Sequence, residues 1–246
     1  QLDVDRLDYL KRDSFFTGVS VGSVNTQRII SMMNVKDDEL LIDEKGVYSI
    51  ENFLTARMFM YWRVYYHKTS ALAEHLLVKM WSRAKQLISE GKQVEAYGNL
   101  KYFLYKTDFE KATEEDVNRF TQLDDTDVLS AIKTWQNADD FVLSYFCKAV
   151  VQRKFPKTVF SSQKFKESEI LEKIERANQK FGIENGDQLV EQISRTLLPY
   201  DNQKQPIFLL KRDGRKIKLE DAETQILSAH INQPTTKNML FFPREI

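Results

Sequence analysis

Asp3, Asp5, Asp8 and Asp13 crowd the first thirteen residues, with Arg6, Lys11 and Arg12 among them. The apolar positions Val4, Leu7 and Leu10 recur at helical spacing, which predicts a helix over residues 3–13. On that helix Asp5, Tyr9 and Asp13 follow one another at four-residue steps and share a face. A carboxylate, a phenol and a second carboxylate in line can hold a cation at one end and a polar ligand beside it. The same pattern also describes a solvated, salt-bridged helix face, and spacing alone does not choose between the two.

A second constellation lies in IENFLTARMFMYWRVYY, residues 50–66, where Arg57 and Arg63 are embedded among Met, Phe, Tyr and Trp. Burying a guanidinium without a partner is costly, so a phosphate or an acidic side chain is expected beside it. Arg suits bidentate contact with either. Met58, Met60 and Trp62 read as core packing. His67, His75 and His230 are isolated in sequence and form neither an HxH nor an HExxH pattern, so a His-rich metal centre cannot be assembled from them. In QRKFPK, Arg153, Lys154 and Lys157 gather at a helix end, where they serve either as a favourable C-terminal charge or as an anion contact. No P-loop, GxGxxG or GxSxG occurs.

The elements that must position these residues are mostly helical. The chain has 246 residues, 42% apolar and 29% charged, enough to bury a substantial core. Thirty-six basic and 36 acidic residues cancel, giving no whole-chain attraction to nucleic acid or an anionic membrane. The single cysteine, Cys147, excludes an internal disulfide framework and sits in an apolar run as a small buried hydrophobe. No apolar run is long enough to span a bilayer and no signal peptide opens the chain, so a reduced, cytoplasmic setting is expected.

Helices are predicted over about 26–33, 50–66, 69–89 with a cap at Gly91, 94–104, 127–135 with a cap among Asp124, Asp125 and Thr126, 138–153, and 166–181 ending at Gly182. LLIDEKGVYSI reads as a hairpin turning at Asp43-Glu44-Lys45-Gly46. Residues 157–163 read as extended, and PIFLLKRDGRKIKL as two strands around Asp213-Gly214. The expected class is mainly α with a small α+β C-terminal lobe, divided as residues 1–165 and 166–246.

The blocks DVDRLDYLKRDSFFTGV, ARMFMYWRVYYHK, LDDTDVLSAIKTWQ and VVQRKFPKTVF occur in the order of, and resemble, HD-domain phosphohydrolases related to deoxynucleoside triphosphate triphosphohydrolases. The similarity covers about residues 1–165. It implies a helical HD core and a smaller mixed lobe. It also implies a divalent metal (Mn, Mg, Fe or Zn), with Asp5 matching the last ligand of a set whose His and adjacent His-Asp pair lie upstream of this block. The chain is therefore expected to be the C-terminal portion of a longer protein and inactive alone. In this branch water attacks the α-phosphorus and tripolyphosphate is released.

By the same resemblance, Arg6 matches a phosphate contact, Tyr9 packs on the deoxyribose and Asp13 accepts from the sugar 3′-hydroxyl. Arg57 grips the phosphate tail and joins Asp5 as a catalytic position. His67, Lys68, Arg153 and Lys157 match an activator-nucleotide site between subunits, which implies a homo-oligomer. The alternatives are an HD phosphohydrolase acting on another phosphoester, or a non-catalytic nucleotide-binding or assembly module.

Overall fold

A computed structural model describes residues 2–22, 24–222 and 233–246; His230 lies outside the described residues. Its helices are α1 (Val4–Thr17), α2 (Thr26–Ser31), α3 (Val47–Met60), α4 (Lys68–Ser89), α5 (Gly98–Tyr105), α6 (Glu114–Phe120), α7 (Asp125–Trp135), α8 (Phe141–Val151) and α9 (Glu167–Phe181). Its strands are β1 (Met33–Lys36), β2 (Glu39–Asp43), β3 (Lys157–Ser161), β4 (Glu191–Leu197), β5 (Phe208–Leu210), β6 (Lys216–Lys218) and β7 (Thr235–Phe242). The class is mainly α with small sheets. One sheet runs β1-β2-β5-β6 and the other β3-β7-β4.

The chain divides into two compact units, and neither is one continuous stretch. The first comprises residues 1–70, 161–163 and 194–238; the second comprises 71–160, 164–193 and 239–246. In the first, Leu7 and Leu10 of α1 pack with Ile29, Ile42, Ile50, Phe53, Leu54 and Met60, joined by Tyr200 and Leu209. The one polar-capped start that matters most here is α1: Asp3 accepts from the Arg6 N–H at 2.9 Å, and Gly18 closes the helix at φ 69°.

The expected hairpin does not form: its second arm, residues 47–50, is the first turn of α3, and β2 pairs instead with the preceding strand β1. Lys36 pairs with Glu39, so Asp37 and Asp38 form the two-residue loop, with φ of 53° and 61°. Positive φ at both positions is the turn that matches strand twist, and aspartate tolerates it better than most residues. Asp43-Glu44-Lys45-Gly46 instead leads into α3: the Asp43 carboxylate accepts from the Lys45 N–H, and residues 44–46 form a single 3-10 turn. Gly46 is needed for its size. A Cβ there would lie 2.8 Å from Ile42 Cγ2 and 3.0 Å from Met32 Cβ, so Gly46→Ala should lower stability by about 1–3 kcal/mol in chemical denaturation.

In the second unit, α4 contributes Leu76, Met80, Ala84 and Leu87 to a core with Trp135, Phe146 and Cys147. Cys147 is buried as expected, and burial pushes its thiol pKa up to about 12, which leaves it an inert hydrophobe. Asp124 caps α7 and Asp140 caps α8. The helix expected from residue 94 begins only at Gly98. Val94 is instead held in an extended run, its N–H and C=O both bonded to the Tyr105 hydroxyl at 3.0 and 2.9 Å. Helix α6 and strands β4 and β7 had no sequence prediction.

Glu191 of β4 binds two α4 side chains, His75 Nε2 at 3.1 Å and Lys79 Nζ at 2.7 Å. The His75 hydrogen bond, opposed by burial and reinforced by Lys79, draws the carboxyl from its ordinary 4.5 to about 2. A depressed carboxylate stabilises the fold fully above its unfolded pKa and progressively less as pH falls toward the folded one. Glu191 is 37% exposed, so solvent screens much of the effect. Glu191→Gln should therefore cost about 1 kcal/mol at pH 7 and nearly nothing at pH 2, read from urea midpoints at the two pH values.

Candidate active site

The first unit brings part of the predicted constellation together. On α1 the four-residue steps hold, but burial rises along the row: Asp5 is exposed, while Tyr9 and Asp13 are half-buried. Arg6 pairs with Asp3 at the helix start. Arg57, on the last turn of α3, donates from Nη1 to the Pro199 carbonyl at 3.2 Å, and its guanidinium stands 5.5 Å from the Tyr61 ring centroid. Its charge thus meets a carbonyl dipole and a π face.

What joins the two helices is a turn that no motif marked. After Met60 the helix widens, and residues 61–65 adopt π geometry. The Tyr66 N–H reaches the Tyr61 carbonyl five residues back at 2.6 Å. Such turns occur often at functional sites because the extra residue re-aims side chains. Here Tyr61 touches both Tyr65 and Tyr66, with ring centroids 5.1 and 5.4 Å away. Tyr65 meets Tyr9 edge-on at 5.9 Å, and its hydroxyl donates to Asp13 Oδ2 at 2.8 Å. The Tyr9 phenol is pushed above its ordinary pKa, first by burial and then by Tyr61, while Arg57 and Arg6 pull it back. Tyr9, Asp13, Arg57, Tyr61 and Tyr65 therefore form one connected group. The signal for Tyr61 and Tyr65 was their four-residue spacing after Arg57, which a uniformly aromatic run conceals.

Two of the remaining predicted residues, His67 and Lys68, lie in the first unit. His67 is exposed, and its Nδ1 accepts from the Thr69 N–H at 3.3 Å at the start of α4; Lys68 is exposed beside it. In the second unit Arg153 takes a left-handed conformation, φ 56°, just beyond α8. Lys157 lies 5.7 Å from the Phe242 ring centroid. Of the side chains expected in the core, Met60 is fully buried, and Trp62 is half-buried with Lys237 Nζ 4.2 Å from its ring centroid. Among the described residues no three His, Cys, Asp or Glu side chains converge on a point that could hold a metal ion. Asp5 is a single exposed carboxylate, so the donors described do not make up a metal centre. Nor is any described helix long and apolar enough to cross a membrane.

Residues 24–102 match the family model for an HD associated region. That region contains Arg57, Tyr61, Tyr65, His67 and Lys68, while α1 precedes it. The fold resembles the crystal structure of a phosphohydrolase from Bacteroides thetaiotaomicron, with TM-score 0.89 and 38% identity over 99% of this chain and 62% of that one. An uncharacterized Bacillus subtilis protein, YwfO, is 30% identical over 100% of this chain and 56% of its own length. The deoxynucleoside triphosphate triphosphohydrolase SAMHD1 homolog of Dictyostelium discoideum is 30% identical over 38% of this chain and 18% of its own length. This chain thus spans little more than half the length of the YwfO protein. Together the HD-associated region and these likenesses support an HD-domain phosphohydrolase family.

Proposed function

We propose that the complete protein is a metal-dependent nucleotide phosphohydrolase that converts a deoxynucleoside triphosphate to the deoxynucleoside and tripolyphosphate. The observation that carries this reading is the convergence of Tyr9, Asp13 and Arg57 through Tyr61 and Tyr65. The group offers an apolar ring, an acceptor-only carboxylate and a fixed cation, which suit a sugar, its hydroxyl and a polyphosphate in turn. In this reading the Tyr9 ring packs on the sugar and crowds out a 2′-hydroxyl, Asp13 accepts from the 3′-hydroxyl, and Arg57 and Arg6 hold phosphate oxygens. Asp5 would give a divalent ion one carboxylate oxygen.

On the same reading the protein is a cytoplasmic homo-oligomer. His67 and Lys68, and separately Arg153 and Lys157, contribute contacts to an activator nucleotide.

The test is product analysis. The complete protein, given manganese and dGTP, should release deoxyguanosine and tripolyphosphate, resolved by anion exchange. Release of orthophosphate alone would sink this reaction. Equal turnover of GTP and dGTP would remove the deoxy selection assigned to Tyr9.

A further inference from the structure

We infer that a cleft in the second unit, between the extended run at residues 92–97 and the turn joining α7 to α8, binds an extended, basic peptide segment of a partner protein, which pairs with the free backbone edge at Gln93. The inference is independent of the nucleotide reading, because every residue it uses lies in the second unit.

The run is gripped from one side. The Val94 N–H and C=O both meet the Tyr105 hydroxyl, at 3.0 and 2.9 Å. In an extended chain the backbone groups of successive residues point to opposite sides, so those of Gln93 and Glu95 point away from Tyr105. On that side Trp135 Nε1 donates to the Glu95 C=O at 2.7 Å and pins one end of the run. The Gln93 N–H and C=O and the Glu95 N–H have no protein partner among the described residues. They make a short strand edge without a neighbour, the arrangement to which a further strand can add.

The space beside this edge is a cleft of about 620 Å³, within the size range of ligand sites. Leu87, Val94, Trp135 and Leu143, all buried, give it an apolar floor. Trp135 is fixed twice, by its bond to Glu95 and by the Trp81 ring, edge-on at 4.8 Å, so the cleft is formed before anything enters it.

Charge chooses the occupant. The charged side chains lining the cleft are Lys92, Glu95, Asp139 and Asp140. Arg83 neutralises Asp140 at 2.6 Å, and Lys92 Nζ lies 3.4 Å from Glu90. Glu95 accepts from the Tyr97 hydroxyl, but neither it nor Asp139 has an ion pair among the described residues. Both are exposed. The rim therefore keeps two uncompensated carboxylates, which favour Lys or Arg on an incoming strand. Side chains alternate along a strand, so a peptide laid on this edge can send apolar groups to the floor and basic ones to the rim.

The probe is the peptide Val-Lys-Val-Lys-Val, fluorescein-labelled at its amino end and amidated at the other, titrated with the complete protein and read by anisotropy. Wild type should bind it at least about tenfold more tightly than Val-Glu-Val-Glu-Val. Glu95→Gln combined with Asp139→Asn should shrink that preference to within about threefold at unchanged circular dichroism. Of two peptides singly N-methylated, at the third or at the fourth residue, one should lose about tenfold and the other bind as the parent does, because only alternate amides meet the edge.

Equal loss from both N-methylated peptides, or loss from neither, would overturn the backbone pairing. Equal binding of the basic and acidic peptides by wild type would overturn the charge selection. No binding of the basic peptide at about 1 mM, the weak end of recognition, overturns the whole inference. If wild type refuses the probe and the double variant sediments at a lower mass, the cleft is filled by a second copy of this chain, and the partner peptide is excluded.

Discussion

Arg83→Ala should destabilise the second unit by about 3–5 kcal/mol. Arg83 and Asp140 form a two-pronged pair: Nε to Oδ1 at 3.0 Å and Nη2 to Oδ2 at 2.6 Å. Their side chains are only 8% and 14% exposed. Removing the guanidinium strands a carboxylate that water reaches poorly, and the cost of that desolvation exceeds the net worth of the pair itself. Asp140 also accepts from the Leu143 N–H at 2.9 Å, so the start of α8 depends on the same side chain.

Burial raises the Asp140 pKa, but the Arg83 hydrogen bonds and the Leu143 N–H outweigh it and hold the carboxyl below its ordinary value. Its contribution is therefore complete at neutral pH and disappears only as acid takes the pH below the ordinary carboxylate range. Urea unfolding of Arg83→Ala at pH 7, followed by circular dichroism, should show a lower midpoint with an unchanged slope. A loss under about 1 kcal/mol would mean that the cavity admits water freely and that the pair is replaceable.

Arg57→Ala should lower kcat/KM for the nucleotide by about 100- to 1000-fold in the complete protein, if its guanidinium holds phosphate in the transition state. The alternative is built into its surroundings. Arg57 also ties α3 to the Pro199 carbonyl and lies against Tyr61, so truncation loosens local packing. Arg57→Lys separates the two effects, since it keeps the charge but loses the planar fork. A structural role predicts that both variants lower the unfolding midpoint while activity per folded molecule holds. A phosphate-holding role predicts that alanine abolishes activity at unchanged fold and that lysine restores part of it.

The helices legible in the sequence are those with local punctuation. Helix α9 ends at Gly182 and α4 runs to a glycine at residue 91, both in the left-handed region, and α7 begins at Asp124. Each of these signals acts within a turn of its own position, so no tertiary information is needed to read it. The face shared by Asp5, Tyr9 and Asp13 was legible for the same reason.

The misses were of another kind. β4 and β7 pair at long range, and EQISRTL and TTKNMLFF carry no turn signal that would mark them. The hairpin was placed one strand too late because Asp43-Glu44-Lys45-Gly46 has turn composition, while two adjacent aspartates in the left-handed region, as at the true turn, are rare. Tyr65 escaped because its role depends on a hydrogen bond across 52 residues, and because π geometry changes which tyrosines meet.

The parallel pairing of β2 with β5 aligns Leu41 with Phe208, Ile42 with Leu209 and Asp43 with Leu210. During synthesis this edge of β2 must wait for its neighbour. At ribosomal speeds the interval is roughly ten to thirty seconds, far longer than a hairpin needs to form. Through that interval β1 and β2 stand as a two-stranded ribbon, and the backbone edge of β2 that β5 will take is open to any passing strand. The first unit therefore carries an open strand edge through much of synthesis, a hazard that a ribosome-associated chaperone would lessen.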